Sequence, residues 1–410
     1  NYMGAAETVY NQLDPGLKTE FDGYTKSVIE DAKVVALVAD NKVANSASVG
    51  SDVAVFLDVT PFYGEMGGQV GDIGVIKTDM GTVEVTDTIH VVGGKIAHIG
   101  TVVDGTISVG EKAEAKIDSK NRMSISRNHS ATHLLQKALR DVLGTHVEQA
   151  GSYVSADRLR FDFTHFQAMT PEEIKKVEDI VNEKIFEAID INISQKTLDE
   201  ARKEGAMALF GEKYGQIVRV VNMGGYSVEL CGGAHLKNTA QIGSFKIISE
   251  NGIAAGVRRI EALTGEGALK HYQAQETQLK DVCSVLKTTP DNMLKRLSDV
   301  VKEQKELSKE VGRLKSKLAG GAVEEIIKTC EEINGVKAVF AKIDGADVNG
   351  LKTMGDELKN RLENAVIVLA AETGGKAALV AMATDEAVKK GAHAGNIIKA
   401  AAAVCGGGGG

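Results

Sequence analysis

The chain has 410 residues, more than one hydrophobic core normally supports, so two or three domains are expected. A formal charge of -8 gives no global attraction to polyanions, and any nucleic-acid contact must come from local basic patches. Four scattered cysteines exclude a disulfide framework, and no apolar run approaches bilayer length, which together point to the cytoplasm and away from a membrane.

Residues 1–20 read as a helical linker from an upstream domain, broken by Asp14-Pro15-Gly16. From 21 to 118 short β-rich runs alternate with glycine turns: Val34–Val38, Val53–Val59, Val75–Lys77, Thr82–Val85 and Ile96–Val103. Such even spacing predicts a small antiparallel β-barrel. The glycine-rich segment Phe62–Asp72 interrupts it, either as a set of tight turns or as a functional loop.

Residues 119–266 mix helices and strands and predict an α+β core. Leu134, Leu135, Ala138, Leu139 and Val142 recur at helical spacing, with Ser126 or Asn128 as cap and Gly144 as left-handed stop. A strand follows at Arg158–Phe163, and Thr170-Pro171-Glu172-Glu173 is a strong helix start. Further strands are expected around Val218, Phe245 and Ile260.

Two dyads of the same stride lie in this core. His129 and His133 are four apart on the predicted helix and share a face; Cys231 and His235 flank Gly232-Gly233 after the strand-like Tyr226–Leu230. The glycines let that turn fold back until its ends converge. Imidazole and thiolate suit a borderline-soft divalent ion, so the four residues predict one zinc site. The competing reading is a pair of hydrogen-bonded core histidines beside an inert thiol.

Residues 267–319 are charged and nearly glycine-free. Leu294, Leu297, Val301, Gln304, Leu307, Val311, Leu314 and Leu318 step by three and four, the seam of a short coiled coil with a stammer. Oligomerisation and an intramolecular helical hairpin both fit, and Thr289-Pro290 starts the helix or kinks its predecessor. Residues 320–410 predict an α/β domain with strands at 336–343, 365–369 and 377–383 and helices at 323–333, 348–361 and 394–404. Gly374-Gly375-Lys376 reads as a loop without a phosphate-cradling motif. The missing start methionine and the closing Gly406–Gly410 suit an excised piece of something longer.

These residues resemble the C-terminal half of the alanyl-tRNA synthetase family, with the aminoacylation domain missing. The similarity runs along almost the whole chain: Phe62–Asp72, Arg127–Leu135, Gln149–Ser152, Asp157–Asp162, Gly205–Gly215, Cys231–His235 and Gly252–Glu261 follow one another in the family's order. Ala234, where the family usually has Thr, and Met66, where a small residue is common, depart from it.

The resemblance implies a multi-domain α+β protein: the barrel, a zinc-containing editing core, a coiled-coil segment, and a C-terminal tRNA-binding and dimerisation domain (C-Ala, DHHA1-like). It implies hydrolysis of tRNA(Ala) mischarged with serine or glycine, the editing activity of an alanine–tRNA ligase. It also places Thr132 and Gln149 in the catalytic pocket, where a bonded serine hydroxyl would separate serine from alanine; glycine has no such hydroxyl. The residues alone favour a Thr132 hydroxyl bonded back to its own helix turn and a Gln149 side chain solvated in a loop.

Arg122, Arg127, Arg158, Arg160, Arg258 and Arg259, with Lys295, Lys305 and Lys315 on the coil, are the RNA-contact candidates, although each alone reads as an ordinary surface charge. The alternatives are a free-standing editing hydrolase and a non-catalytic, zinc-stabilised module for RNA binding and dimerisation. The C-terminal unit also resembles domains attached to DHH-type phosphoesterases, but no Asp-His-His tripeptide occurs.

Overall fold

The computed structural model describes residues 9–207, 215–373 and 375–407, the side chains of 315–320 and 373 excepted. It is a mixed α/β, multi-domain protein that divides into two compact units, 1–278 and 279–410. Among the described residues no helix is long and apolar enough to cross a membrane.

The first unit opens with a β-barrel. Its strands are β1 (Glu20–Phe21), β2 (Val28–Ala39), β3 (Lys42–Ala44), β4 (Ser46–Ser48), β5 (Asp52–Leu57), β6 (Val59–Thr60), β7 (Gly74–Thr78), β8 (Gly81–Val91), β9 (Lys95–Ser108) and β10 (Lys112–Ile117). Six of them pair antiparallel in the order β10-β7-β8-β9-β5-β2, and β10 pairs back with β2 to close the barrel. Closure leaves these six strands without a free edge. Alternation explains the interior: in β10, Ala113, Ala115 and Ile117 point inward and Lys112, Glu114 and Lys116 outward. Phe62, Leu57, Ile76 and Ile107 fill the centre with no exposed area.

The N-terminal helix is corrected in part. Within 9–20 only Val9 and Tyr10 are helical, and turns lead from there into β1; residues 1–8 lie outside the described residues.

The core that follows contains α1 (Ser119–Leu143), β11 (Gln149–Val154), β12 (Leu159–Thr164), α2 (Pro171–Phe186), β13 (Ile191–Thr197), α3 (Leu198–Lys203), β14 (Ile217–Met223), β15 (Ser227–Leu230), β16 (Phe245–Ala254), β17 (Val257–Thr264) and α4 (Gly265–Leu286). An antiparallel sheet ordered β11-β12-β17-β16 packs on α1 and α2 through Leu134, Leu135, Phe161, Phe163, Val177 and Ile260. A second sheet, β13-β14-β15, carries the Cys231 turn at its end.

The start of α1 differs from the expectation. Asp118, not Ser126 or Asn128, caps it, accepting from the Lys120 and Asn121 backbone. Asn128 is buried within the helix, where Nδ2 donates to Ser155 O and Oδ1 accepts from Thr264 Oγ1. Gly144 does end the helix, but at φ 118 and ψ 171 rather than in the left-handed helical well. At α2, Thr170 and Glu173 form a full capping box, with Pro171 in the first turn.

The second unit contains the end of α4, α5 (Met293–Lys328), β18 (Glu331–Ile333), β19 (Val336–Lys342), α6 (Val348–Arg361), β20 (Ala365–Thr373), β21 (Lys376–Ala383), α7 (Asp385–Lys389) and α8 (Ala394–Val404). Its sheet runs β18-β19-β20-β21, parallel only between β19 and β20. The helix expected at 323–333 is instead the end of α5, which passes through Gly320-Gly321 and stops at Lys328, leaving 331–333 as a strand. Leu294, Leu297, Val301, Leu307, Val311 and Leu314 on α5 are each 45% or more exposed. The Leu318 and Lys315 side chains lie outside the described residues.

Candidate metal centre

Helix α1 projects His129 and His133 from one face, and the turn after β15 presents Cys231 and His235 to the same point. One donor atom from each lies within 4.8 Å of all the others. His129 Nε2 is 3.4 Å and His235 Nε2 3.3 Å from Cys231 Sγ. A tetrahedral zinc with bonds of about 2.0 Å to nitrogen and 2.3 Å to sulfur would set its donors roughly 3.3–3.6 Å apart. The residues present therefore fit a metal ion of that kind.

The outward-facing imidazole atoms support the same arrangement. His129 Nδ1 is 2.7 Å from Gln69 Oε1, which also accepts from the Ala234 backbone N–H at 2.8 Å. Because Ala234 N–H can only donate, Gln69 Oε1 faces both groups, His129 carries its hydrogen on Nδ1, and Nε2 is left as the free lone pair. His235 Nδ1 sits 3.2 Å from Ser130 Oγ. His133 Nδ1 lies 3.2 Å from Glu229 Oε2, within ion-pair distance but off the angle of a hydrogen bond. Such partners fix ring orientation in metal-binding histidines.

Burial keeps these imidazoles neutral, the form that binds metal. It lowers His129 to about 4, with Arg219 adding to the shift, and takes His133 and His235 well below the ordinary histidine value, reinforced by neighbouring histidines and Arg219. Burial pushes Glu229 the other way, up to about 8, against the opposing effects of Ser227 and Arg140.

Three backbone carbonyls hold the turn. Arg219 Nη1 donates to Cys231 O at 2.8 Å and Gly233 O at 2.7 Å, its guanidinium lies 4.1 Å from the Tyr24 ring centre, and the Tyr24 hydroxyl donates to Gly232 O. Neither Gly232 nor Gly233 has a positive φ, which corrects the reason for the glycines. A Cβ on Gly233 would lie 2.0 Å from His129 Cε1, so glycine is needed there for close approach.

The segment Phe62–Asp72 carries Gln69 into this centre through a Met66–Gln69 bridge and a second bridge from Gln69 to Val154. At Gly68, with φ +83, a Cβ would meet Ser152 O at 2.4 Å. The segment's far end is tied to α1: Arg122 pairs with buried Asp72 and donates to Gly23 O and Pro61 O.

A cavity of about 40 Å³ adjoins the centre, lined by His129, His133, Cys231, Thr132, Gln136, Gln149, Ser152 and Glu229. Both sequence-predicted pocket residues border it. Thr132 Oγ1 donates to Asn128 O at 2.8 Å, the back-bonded state, and keeps its acceptor capacity. Gln149 begins β11 instead of lying in a loop, is half-buried, and has no side-chain hydrogen bond among the described residues.

Three family models match the sequence: tRNA synthetases class II (A) over 3–121, the threonyl and alanyl tRNA synthetase second additional domain over 218–261, and the DHHA1 domain over 335–410. An alanine–tRNA ligase of Acetivibrio thermocellus is 54% identical over 404 residues, 98% of this chain and 46% of the relative. Alanine–tRNA ligase 1 of Lachnoclostridium phytofermentans is 48% identical over 410 residues, and the Geobacillus kaustophilus enzyme 47% over 393, with 46% and 44% of each relative covered. The chain belongs to the alanine–tRNA ligase family. It spans about half the length of the curated relatives it matches.

Ala234, the departure from the family pattern, meets Gln69 through its backbone, so that hydrogen bond does not depend on a threonine side chain. The arginine candidates for RNA contact are largely engaged within the protein. Arg122 is buried on Asp72, Arg258 and Arg259 form two-pronged pairs with Glu250 and Asp162, and Arg158 pairs with Glu261. Arg160 sits over the Tyr153 ring, and Arg127 Nε donates to Gln241 O. Lys295 and Lys305 are exposed on α5. Residues 208–214 of the family-like segment Gly205–Gly215 lie outside the described residues.

Sequence reasoning missed Gln69, Glu229, Arg219 and Tyr24. Only Glu229 left a local trace, a carboxylate in the buried strand Ser227-Val228-Glu229-Leu230.

Proposed function

We propose that this chain hydrolyses the aminoacyl ester of tRNA(Ala) mischarged with serine or glycine, as the editing part of a cytoplasmic alanine–tRNA ligase, with zinc held by His129, His133, Cys231 and His235. The observation that carries the reading is the small polar cavity beside the four donors. Its volume of about 40 Å³ has room for a small substituent such as a hydroxymethyl group. A water alone needs about 10–15 Å³ on that measure.

Thr132 Oγ1, already donating to Asn128 O, is available to accept from a serine hydroxyl, and the Gln149 amide offers a second contact. Alanine would leave these groups unpaired, a penalty that favours serine. Gln69 holds His129 in place, and Glu229 lies beside His133. Four protein donors complete a tetrahedron, so the ion's first role is to join α1 to the Cys231 turn and shape the cavity wall. Zinc bound there would also supply a fixed positive charge at the cavity wall.

The C-terminal unit assists tRNA binding on this reading, and the exposed stripe from Leu294 to Leu314 supports pairing of two copies through α5. Incubation of the purified chain with Ser-tRNA(Ala) and Ala-tRNA(Ala) tests the proposal. The serine ester is expected to be cleaved and the alanine ester spared; equal stability of both esters would overturn it in favour of a binding module.

A further inference from the structure

Helix α1 turns a single stripe of side chains toward the small cavity: His129, Thr132, His133 and Gln136 lie on one face and all line it. Two of the four are metal-binding candidates and Thr132 already has a part in the pocket, whereas Gln136 has none. Its side chain is only 6% exposed, yet it makes no hydrogen bond among the described residues. A primary amide carries two donors and an acceptor oxygen, and a buried one is normally paired. Thr132 Oγ1, one turn earlier on the helix, donates to Asn128 O and is left as an acceptor. A donor and an acceptor, each without a partner on the cavity side, therefore stand together on this wall.

The substrate pair of the proposed function poses a problem that this wall answers, and the inference rests on that reading. A hydroxyl separates serine from alanine, but glycine has none. The cavity of about 40 Å³ has room for a hydroxymethyl group, and when no side chain enters it has room for a water, which needs about 10–15 Å³ on the same measure. We propose that Gln136 is a specificity residue acting with Thr132. A serine Oγ accepts from Gln136 Nε2 and donates to Thr132 Oγ1; with a glycyl ester, one bound water makes the same two hydrogen bonds. The alanine methyl takes that place, expels the water and replaces neither bond. Water that bridges two polar groups is nearly as good as a direct bond, and its displacement by an apolar group loses affinity. Alanine is thus rejected by polarity and not by size, since its methyl is smaller than the hydroxymethyl group that the cavity accepts.

The test uses the zinc-loaded full chain and Gln136→Met, which keeps the length of the side chain and removes its amide. The variant is expected to lose about tenfold in kcat/KM on Ser-tRNA(Ala) and Gly-tRNA(Ala) together, the effect of one buried hydrogen bond, with Ala-tRNA(Ala) cleaved at or above the parental rate. A fall shared by all three esters marks a merely structural side chain and overturns the proposal, as does a loss confined to serine. Equilibrium binding of the seryl, glycyl and alanyl amides of 3′-amino-3′-deoxyadenosine, which do not hydrolyse, gives a second readout. The parent is expected to bind the first two severalfold more tightly than the third, and Gln136→Met to bind all three alike; equal binding of the three by the parent would also overturn the proposal. Parental selectivity among the esters in Gln136→Met would remove Gln136 while leaving the hydrolytic reading intact. Amide selectivity that depends on Gln136, in a chain that cleaves no ester, would do the reverse.

Discussion

Gly233→Ala isolates the steric requirement of the metal centre. The position has no positive φ, so the backbone accepts alanine, and the whole effect comes from one methyl group. That methyl would stand 2.0 Å from His129 Cε1, 2.3 Å from Nδ1 and 2.8 Å from Gln69 Oε1. Carbon atoms rest about 3.5–4.0 Å apart, so imidazole and turn must separate by roughly 1.5 Å. Metal–ligand distances tolerate only about 0.2 Å, far less than this shift. Loss of an orienting partner alone lowers metal affinity by about 10–100-fold, and displacing His129 also breaks its Gln69 contact. Zinc affinity is therefore expected to fall by about 100-fold or more, at an overpacking cost of roughly 1–3 kcal/mol in stability. Competition with a chromophoric chelator measures the first and urea unfolding of the chelated protein the second. Zinc affinity within threefold of the parent would refute the geometry.

Gln149→Ala is expected to slow Ser-tRNA(Ala) deacylation or to admit Ala-tRNA(Ala), read from initial rates on both esters; unchanged rates on both would remove Gln149 from the pocket's chemistry. Arg122→Met strands buried Asp72 and should destabilise the protein by about 3–5 kcal/mol, whereas adding Asp72→Asn should restore most of the loss in urea unfolding. His98, fully buried between Thr60 Oγ1 and Val55 O, is lowered to about 4 by burial, partly offset by its backbone hydrogen bond. Unfolding lets it take up a proton between pH 4 and 6.5, so its contribution is complete above about 6.5 and shrinks on acidification. The stability difference between parent and His98→Asn should fall by about 3 kcal/mol from pH 7 to pH 4, and a pH-independent difference would exclude the assignment.

What the sequence revealed followed the range of the interactions. Thr170-Pro171-Glu172-Glu173 announces α2 because its capping box closes within four residues. The two dyads are visible because each stride of four is a local constraint on where the donors point. Local signals mislead when a side chain has a distant use: Asn128 looks like a cap but is committed to Ser155 and Thr264. Gly320-Gly321 looks like a boundary, yet two glycines cost a helix only about 1 kcal/mol each and α5 runs through them. Barrel closure by β2 and β10, and the reach of Gln69 to α1, join segments far apart in sequence and leave no periodic trace.

The span of one hydrogen-bond relay also sets a timetable for biosynthesis. Gln69 and its acceptor's second donor, Ala234, are 165 residues apart, with His129 between them. At about 5–20 residues per second, a ribosome that has finished Gln69 needs roughly 8–33 s to deliver Ala234. The glycine-rich segment thus has Ile89, Arg122 and Val154 to fold against before the Ala234 turn exists, and His129 acquires its fixed tautomer only after most of the first unit has been translated.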